Sequence, residues 1–372
     1  MRIAIVVHSL NEGYSKAIYH ITKYLKDSGD QPYVFVLFPT SPDSFVYKLF
    51  LKDNLQNFIV DIFSSSSIFN FKVPRQSFIT INESLAIAFK NMKRLSSLLI
   101  KYNIDVALLE TNFVPAKPFI DTQIPYVLHF HEPMEKFPAK FLKIFKDKII
   151  AHQLLLMKSA KEVILSSGFY LNYIKGVGIN NYKIIYHGCL VGKMINNERV
   201  RITFLKRFDS SHFSEISGII NSMPNYKFTV IGSFASEKDK NNFLKLIESN
   251  NFDIFTNVSE ELMYKLLDES LFHIGTYVEN FGVYSIEGAC RGSIPVLPSG
   301  IGSLEIFKNM ESCIEYPVGD IAKLKNQLES IINNNGLLCK LRINAYNIAS
   351  QYNWKNYARE IRDTLIEYSR KS

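Results

Sequence analysis

Short apolar runs alternate with helix-like segments along most of this chain, and this alternation restricts the fold more than any other feature. The runs lie at residues 3–7, 33–37, 106–109, 126–130, 201–205, 227–232, 253–258 and 271–275. Apolar runs of this length predict buried strands, and strands that alternate with helices predict parallel, doubly wound sheets. Between residues 39 and 94 the pattern is irregular, and no strand can be placed there.

The chain is too long for one hydrophobic core. Its 372 residues predict two domains, because single cores stop growing near 250–300 residues. The apolar pattern breaks after Gly192, which predicts a first domain at residues 1–192 and a second at 193–352. In residues 353–372, Trp354, Tyr357 and Ile361 recur at helical spacing, so an amphipathic helix is expected at the end.

Composition narrows the class of protein. The net charge is +8 and the pI is about 9.0, which favours anionic partners such as phosphates. Nucleic acid is disfavoured, because no basic tract, zinc pattern or aromatic RNA-binding signature is present. No apolar run approaches the roughly 18 residues of a membrane span. The four cysteines lack zinc-site spacing, so we expect reduced thiols in a cytoplasmic protein.

Residues 276–298, TYVENFGVYSIEGACRGSIPVLP, hold two carboxylates beside a predicted helix. Apolar residues at helical spacing predict that this helix begins near Gly282 and ends near Gly292, before a buried strand. Glu279 precedes the helix and Glu287 lies within it. The amides at a helix start attract phosphate, and carboxylates accept hydrogen bonds from hydroxyls. A nucleotide sugar offers both groups, although helical glutamates are often only solvated surface residues.

Four short motifs strengthen the nucleotide-sugar interpretation. They are Glu279-Asn280-Phe281-Gly282, Glu287-Gly288-Ala289, Gly292-x-x-Pro295-Val296 and Gly302-x-x-Glu305. Together they resemble the donor-site signature of the retaining GT-B glycosyltransferases of family four. The resemblance implies a GT-B fold, in which two Rossmann-like domains face a cleft and the C-terminal helix crosses back to the first domain.

The resemblance also implies roles for the residues of the signature. Glu287 would bind the ribose hydroxyls of the nucleotide. Glu279 would hold the donor sugar together with the backbone amides that follow it. The donor-binding residues there are Asn280, Phe281, Gly282 and Val283.

Further site residues follow from the same resemblance. Arg207 matches the arginine that clamps the diphosphate, but the lysine about five residues later is replaced near His212, so His212 or Lys206 would complete the clamp. His131, after the strand at 126–130, matches a histidine close to the donor sugar and is favoured over His129. Gly13 stands where the family has two adjacent glycines, and a simple strand-to-helix turn explains it equally well.

No Asp-x-Asp motif occurs, so a metal-independent enzyme without a cofactor is expected. The family retains anomeric configuration, and no residue is an evident covalent nucleophile. We therefore expect a front-face displacement assisted by the leaving diphosphate. The predicted function is transfer of a sugar from a nucleotide-diphosphate sugar to a glycan or lipid-linked acceptor in glycan biosynthesis.

A second anionic partner is suggested by the segment that begins at Lys136 and ends at Met157. Phenylalanines and isoleucines lie on one side of its helical wheel and lysines on the other. Such a helix either packs on the sheet with a solvated lysine face or docks peripherally on the inner face of an anionic membrane.

Two other classes of protein remain as alternatives. A catalytically inert glycosyltransferase-like binding subunit is favoured by the single glycine and the replaced lysine. A dinucleotide-binding oxidoreductase is disfavoured, because the strand-to-helix loops lack Gly-x-Gly-x-x-Gly.

Overall fold

The computed structural model describes residues 1–10, 15–37, 40–41, 44–62, 91–110, 114–133, 146–194, 199–208, 212–234, 236–256 and 258–369. At residues 146, 148, 149 and 206–208 only the backbone is described. The chain forms two compact units. Unit 1 comprises Met1–Ser166, Tyr170–Tyr186 and Trp354–Ser372, and unit 2 comprises Ser167–Phe169 and His187–Asn353.

Unit 1 contains a seven-stranded parallel sheet. Its strands are β1 (Arg2–Val7), β2 (Gln31–Val36), β3 (Ile59–Asp61), β4 (Val106–Leu109), β5 (Tyr126–Phe130), β6 (Glu162–Leu165) and β7 (Tyr182–Ile184), in the order β3-β2-β1-β4-β5-β6-β7. Its helices are α1 (Ser15–Asp27), α2 (Phe45–Lys52), α3 (Met92–Lys101), α4 (Lys117–Thr122), α5 (Lys146–Ser159), α6 (Leu171–Gly176) and α13 (Trp354–Glu367). The strand order reverses beside β1, as in doubly wound sheets.

The last helix completes the core of unit 1. Trp354, Tyr357, Ile361 and Leu365 of α13 are buried in the same cluster as β1 and α1. The His20 ring of α1 stacks on Trp354, with ring centroids 4.7 Å apart. Burial lowers the pKa of His20 to about 3, so this ring is neutral near pH 7. The apolar residues of α13 that recur at helical spacing in the sequence are therefore the ones that pack into the core of unit 1.

Unit 2 contains a six-stranded parallel sheet. Its strands are β8 (Arg201–Phe208), β9 (Lys227–Phe234), β10 (Phe252–Thr256), β11 (Ser270–Ile274), β12 (Ile294–Pro298) and β13 (Ile314–Tyr316), in the order β10-β9-β8-β11-β12-β13. Its helices are α7 (Phe213–Ser222), α8 (Glu237–Leu244), α9 (Glu260–Asp268), α10 (Val283–Ala289), α11 (Ile321–Ile332) and α12 (Asn335–Ala349). The strand order again reverses, here beside β8.

The predicted fold class is confirmed: both sheets are parallel and doubly wound, and the final helix returns to unit 1. Apart from Ser167–Phe169, unit 2 begins at His187, six residues before the predicted start at residue 193. The reason is local, because the Cys189 amide donates to the Tyr352 carbonyl (2.9 Å) and ties this segment to unit 2. None of the helices in the described ranges has the length and apolar content needed to cross a bilayer.

The predicted helix at residues 136–157 is described only in part. Residues 134–145 lie outside the described residues, and α5 covers Lys146–Ser159. Within α5, Leu156 and Met157 are buried, whereas Leu155 is half exposed. The proposed lysine face therefore lies almost wholly outside the part of the chain that the structure describes.

Candidate functional site

The signature segment forms the loop after β11 and the short helix α10. Gly282 precedes the helix with φ of 73°, a conformation that favours glycine. A Cβ at this position would also lie 2.8 Å from the Ile301 side chain. The Ser285 hydroxyl donates to the Gly282 carbonyl oxygen at 2.7 Å. Glycine therefore fixes the start of α10, where the sequence predicted a helix to begin.

A buried histidine anchors α10 to β11. His273 Nε2 lies 3.0 Å from the Ser285 carbonyl oxygen, so this nitrogen donates, and Nδ1 lies 3.0 Å from the Ser293 hydroxyl. Burial lowers the pKa of His273 to about 4, which keeps the ring neutral. Gly288 of α10 faces the ring, and a Cβ there would overlap it. His273 was not singled out from the sequence, because a histidine within a strand carries no local signal.

Glu279 is held by a tyrosine two residues earlier. The Tyr277 hydroxyl donates to Glu279 Oε2 at 3.0 Å, and the Gly302 amide donates to the Glu279 carbonyl oxygen at 3.2 Å. The His212 ring lies beside the Tyr277 ring, with centroids 5.0 Å apart. His212 directly precedes α7. The structure thus connects His212, at the position of the replaced lysine, to Glu279 through Tyr277.

Asn280 is fixed by a serine from the segment at residues 167–169. The Ser167 hydroxyl lies 2.6 Å from the Asn280 backbone oxygen and 2.9 Å from its Oδ1. The next residue, Gly168, donates its amide to both carboxylate oxygens of Glu305, at 2.8 and 3.0 Å. The last signature motif therefore has a structural role here, since Glu305 holds the segment that positions the Asn280 loop.

Glu287 lies in the second turn of α10, and its side chain is half-buried. Burial raises the pKa of the Tyr264 hydroxyl, and the nearby negative charge of Glu287 is the second-largest cause of this rise. Tyr264 remains protonated and donates to Glu260 at 3.3 Å. A half-buried carboxylate beside a neutral hydroxyl is suited to accept hydrogen bonds from a ligand diol.

The predicted cationic clamp and glycine loop are less fully described. Gly13 lies outside the described residues, at 11–14. The backbone of Lys206 and Arg207 lies in the last part of β8, opposite Gly232 and Ser233 of β9, while their side chains lie outside what the structure describes. Both residues thus stand at the carboxyl end of a strand, where open α/β sheets place ligand-binding groups.

In unit 1, two histidines meet one buried glutamate. His129 is fully buried, with Nδ1 at 3.0 Å from Glu110 Oε2 and Nε2 at 3.1 Å from the Ser166 hydroxyl. His131 Nε2 lies 3.5 Å from the same Glu110 oxygen, and its side chain is 29% exposed. Of the two histidines, His131 is the one that a ligand can reach. Glu110 was missed because only the fold brings the end of β4 beside the end of β5.

The Glu110 carboxylate is strongly acidic despite its burial. Burial alone would raise its pKa, but the nearby charges and hydrogen bonds of His129 and His131 outweigh it and lower the pKa well below the ordinary value. One donor atom from each of the three residues lies within 4.8 Å of the others. Two imidazoles and a carboxylate could hold a divalent ion such as zinc, but hydrogen bonds already connect Glu110 and His129. The expectation of a metal-free enzyme stays a prediction.

Comparison with solved structures identifies the fold. A glycosyltransferase from Rickettsia africae ESF-5 matches with a TM-score of 0.74 at 16% identity, over 99% of this chain and 98% of that one. Anabaena HepE (Alr3699), solved with UDP and glucose, matches with a TM-score of 0.74 at 15% identity, over 99% and 100%. Sucrose-phosphate synthase from Thermosynechococcus elongatus matches with a TM-score of 0.77 at 12% identity, over 99% and 98%.

These matches cover both units, and they confirm the GT-B glycosyltransferase fold predicted from the signature. No protein-family model matches the sequence, and no curated protein matches it.

Proposed function

We propose that this protein is a retaining glycosyltransferase that transfers a sugar from a nucleotide-diphosphate sugar to a glycan or lipid-linked acceptor. The observation that carries the proposal is the arrangement of Glu279 and Glu287. Both lie after β11 in the second parallel sheet, one held by Tyr277 in the loop and the other in α10. HepE, which shares the fold, was solved with UDP and with UDP-glucose.

The two carboxylates bind different parts of the donor. Glu287 accepts hydrogen bonds from the ribose hydroxyls, and Glu279 accepts them from hydroxyls of the sugar. The backbone amides of residues 280–283 face the donor from the loop and the start of α10. Tyr277 and Ser167 keep this loop in place before the donor arrives, which lowers the entropic cost of binding.

Positive side chains neutralise the diphosphate as it leaves, and no metal or organic cofactor is needed. Arg207 supplies a permanent cation at the carboxyl end of β8, and Lys206 or His212 adds a second donor. A clamp that uses His212 depends on pH, because imidazole is the side chain whose charge ordinarily changes between about pH 5 and 8. With no evident covalent nucleophile, the acceptor attacks from the face that the diphosphate leaves. The departing phosphate oxygen takes the acceptor proton.

His131 acts on the donor sugar, and Glu110 Oε2 lies 3.5 Å from its Nε2. A lipid-linked acceptor would place the enzyme at the inner face of the cytoplasmic membrane, where the lysines of residues 136–157 would meet anionic lipid. Liposome flotation tests this part of the proposal. The Lys140/Lys143/Lys146→Glu variant should lose binding to anionic vesicles, and equal binding by both proteins would refute it.

The donor site is tested by isothermal titration with a panel of nucleoside diphosphates, followed by hydrolysis assays with the matching nucleotide sugars. Glu287→Ala should weaken nucleotide binding about 10- to 100-fold, the equivalent of roughly 1.5–3 kcal/mol for hydrogen bonds to a charged group. Glu279→Ala should lower turnover about 100-fold and leave nucleotide affinity nearly unchanged. The matched control is Glu329→Ala in α11, a glutamate whose side chain is 37% exposed and lies 3.9 Å from Lys325.

The same titration distinguishes the enzyme from an inert binding subunit. The replacement of the family lysine near His212 favours that alternative. An inert subunit binds none of the nucleoside diphosphates. Nucleotide binding without any donor hydrolysis or transfer would support a subunit that has kept the pocket and lost the reaction. Unchanged turnover in both glutamate variants would refute the assignment of the site.

A further inference from the structure

Two buried cysteines of unit 2 lie unusually close together. The sulfur atoms of Cys189 and Cys290 are 2.7 Å apart across 101 residues of sequence, and both residues are at most 1% exposed. Nonbonded heavy atoms rest at about 3.5–4.0 Å, whereas a disulfide bond is about 2.05 Å long. The two sulfur atoms are therefore closer than nonbonded atoms ordinarily lie, and their separation exceeds a disulfide bond length by only about 0.7 Å.

Backbone hydrogen bonds hold both cysteines in place. The Cys189 amide donates to the Tyr352 carbonyl (2.9 Å), and Cys189 forms an isolated parallel bridge with Asn353. Cys290 directly follows α10, and its carbonyl oxygen accepts from the Gly192 amide at 3.1 Å. Closing a bond between the sulfurs thus needs small side-chain rotations and leaves these backbone contacts intact.

We propose that Cys189 and Cys290 form an oxidation-sensitive pair that closes to an intramolecular disulfide, with a small peroxide as the oxidant. One thiolate attacks a peroxide oxygen, the O–O bond breaks, and a sulfenic acid and one water form when the oxidant is hydrogen peroxide. The second thiol attacks the sulfenic sulfur, the S–S bond forms and a second water leaves. Two thiols are oxidised, one peroxide is reduced, and no further reactant is required.

The other two cysteines do not compete for this chemistry. Cys313 is fully buried and burial raises the pKa of its thiol to about 12, but the short sulfur–sulfur distance, rather than acidity, distinguishes Cys189 and Cys290. Cys339 is exposed and would form bonds between molecules. A Cys339→Ser background removes that route and leaves three thiols.

The disulfide would join both ends of unit 2 to the helix that carries Glu287. Cys189 lies two residues after the start of unit 2 and pairs with Asn353 at its end. A bond across 101 residues removes much conformational freedom from the unfolded chain. The melting temperature should rise by about 5 °C or more on oxidation. This inference does not depend on the proposed enzymatic activity.

The test uses the full-length Cys339→Ser protein, treated with hydrogen peroxide and then acid-quenched and unfolded. Thiol titration should fall from three to one per chain. Mass spectrometry of unreduced peptides should show a link between Cys189 and Cys290 with the loss of two hydrogen atoms. Dithiothreitol should reverse both results and the rise in melting temperature.

Cys189→Ser in the same background should form no linked peptide after oxidation and show no rise in melting temperature. If that variant does not fold, the peptide link in the background protein still decides the matter. Three titratable thiols after peroxide, sulfinic acid on either cysteine, or a link that involves Cys313 would each overturn the proposal.

Discussion

Gly302 supports the loop that carries Glu279 and Asn280 by having no side chain, and Gly302→Ala should therefore damage the proposed donor site with little effect on the fold. A Cβ built on Gly302 would meet the backbone oxygen of Asn280 and the hydroxyl of Ser167. Real Cβ atoms almost never lie closer than 3.0 Å to another heavy atom, and this Cβ would be closer than that limit by more than about 1 Å. Because one of these neighbours is backbone, the loop itself must move.

The structure gives the size of the effect. A displacement of more than about 1 Å next to Glu279 is enough to lower turnover roughly 100-fold, since catalysis depends on placement at that scale. Overpacking of this kind costs about 1–3 kcal/mol of stability. For a unit of this size the melting temperature should fall by about 2–4 °C per kcal/mol, so the variant remains folded at the temperature of an assay.

Donor hydrolysis and differential scanning fluorimetry measure the two effects. Gly336→Ala is the matched control in the same unit, since its Cβ would lie 3.6 Å from Asn334 Oδ1, in ordinary contact at the start of α12. We expect that control to keep full activity and to be at least as stable as the wild type. A folded Gly302→Ala protein with activity within about twofold of the control would refute the reasoning. If the wild type hydrolyses no donor, the loss of stability still tests the packing argument.

Three further predictions concern the polar side chains of His20, Tyr277 and Glu110. His20 has a lowered pKa of about 3 in the folded state, so the unfolded chain binds more protons between about pH 3 and 6.5. The free energy of unfolding therefore falls by about 2 kcal/mol when the pH is lowered from about 7.5 to about 5. His20→Phe should remove this loss, as measured by urea titrations at the two pH values. An unchanged pH dependence in that variant would contradict the prediction. Tyr277→Phe should lower turnover about 10-fold by releasing Glu279; equal kcat values would show that the contact does not position the carboxylate. Glu110→Ala should destabilise unit 1 by about 3–5 kcal/mol because it breaks a buried pair with His129; a loss below about 1 kcal/mol in denaturant unfolding would rule out that pairing.

Strong local patterns made most of the fold predictable. The apolar runs of β1, β5 and β11 match the predicted strands within one residue. Ser259 caps α9, with its hydroxyl oxygen accepting from the Leu262 amide at 3.2 Å, and a serine followed by two glutamates is a sequence typical of a helix start. In the polar segment at residues 237–249, by contrast, the helix ends at Leu244. In the irregular region after residue 39, α2 and the three-residue strand β3 are too short to produce a readable period.

The candidate site was predictable only where one segment carries it. The motif around Glu279 and Glu287 is continuous, so residue types and spacing were enough to suggest it. Glu110, His273 and Ser167 act through partners 12 to 113 residues away, and no local pattern connects such pairs. The roles of Arg207, Lys206 and Gly13 stay predictions from the resemblance.

The return of α13 to unit 1 affects the order in which the protein folds during synthesis. Unit 1 starts first, but Trp354 and Tyr357 of its core are translated only after all of unit 2. At about 5–20 residues per second, residues 187–353 take roughly 8–35 s to synthesise. During that time the surface of β1 and α1 that α13 covers is exposed to solvent. A ribosome-bound chain that stops before Trp354 should therefore hold a folded unit 2 beside an unfinished unit 1 that attracts chaperones.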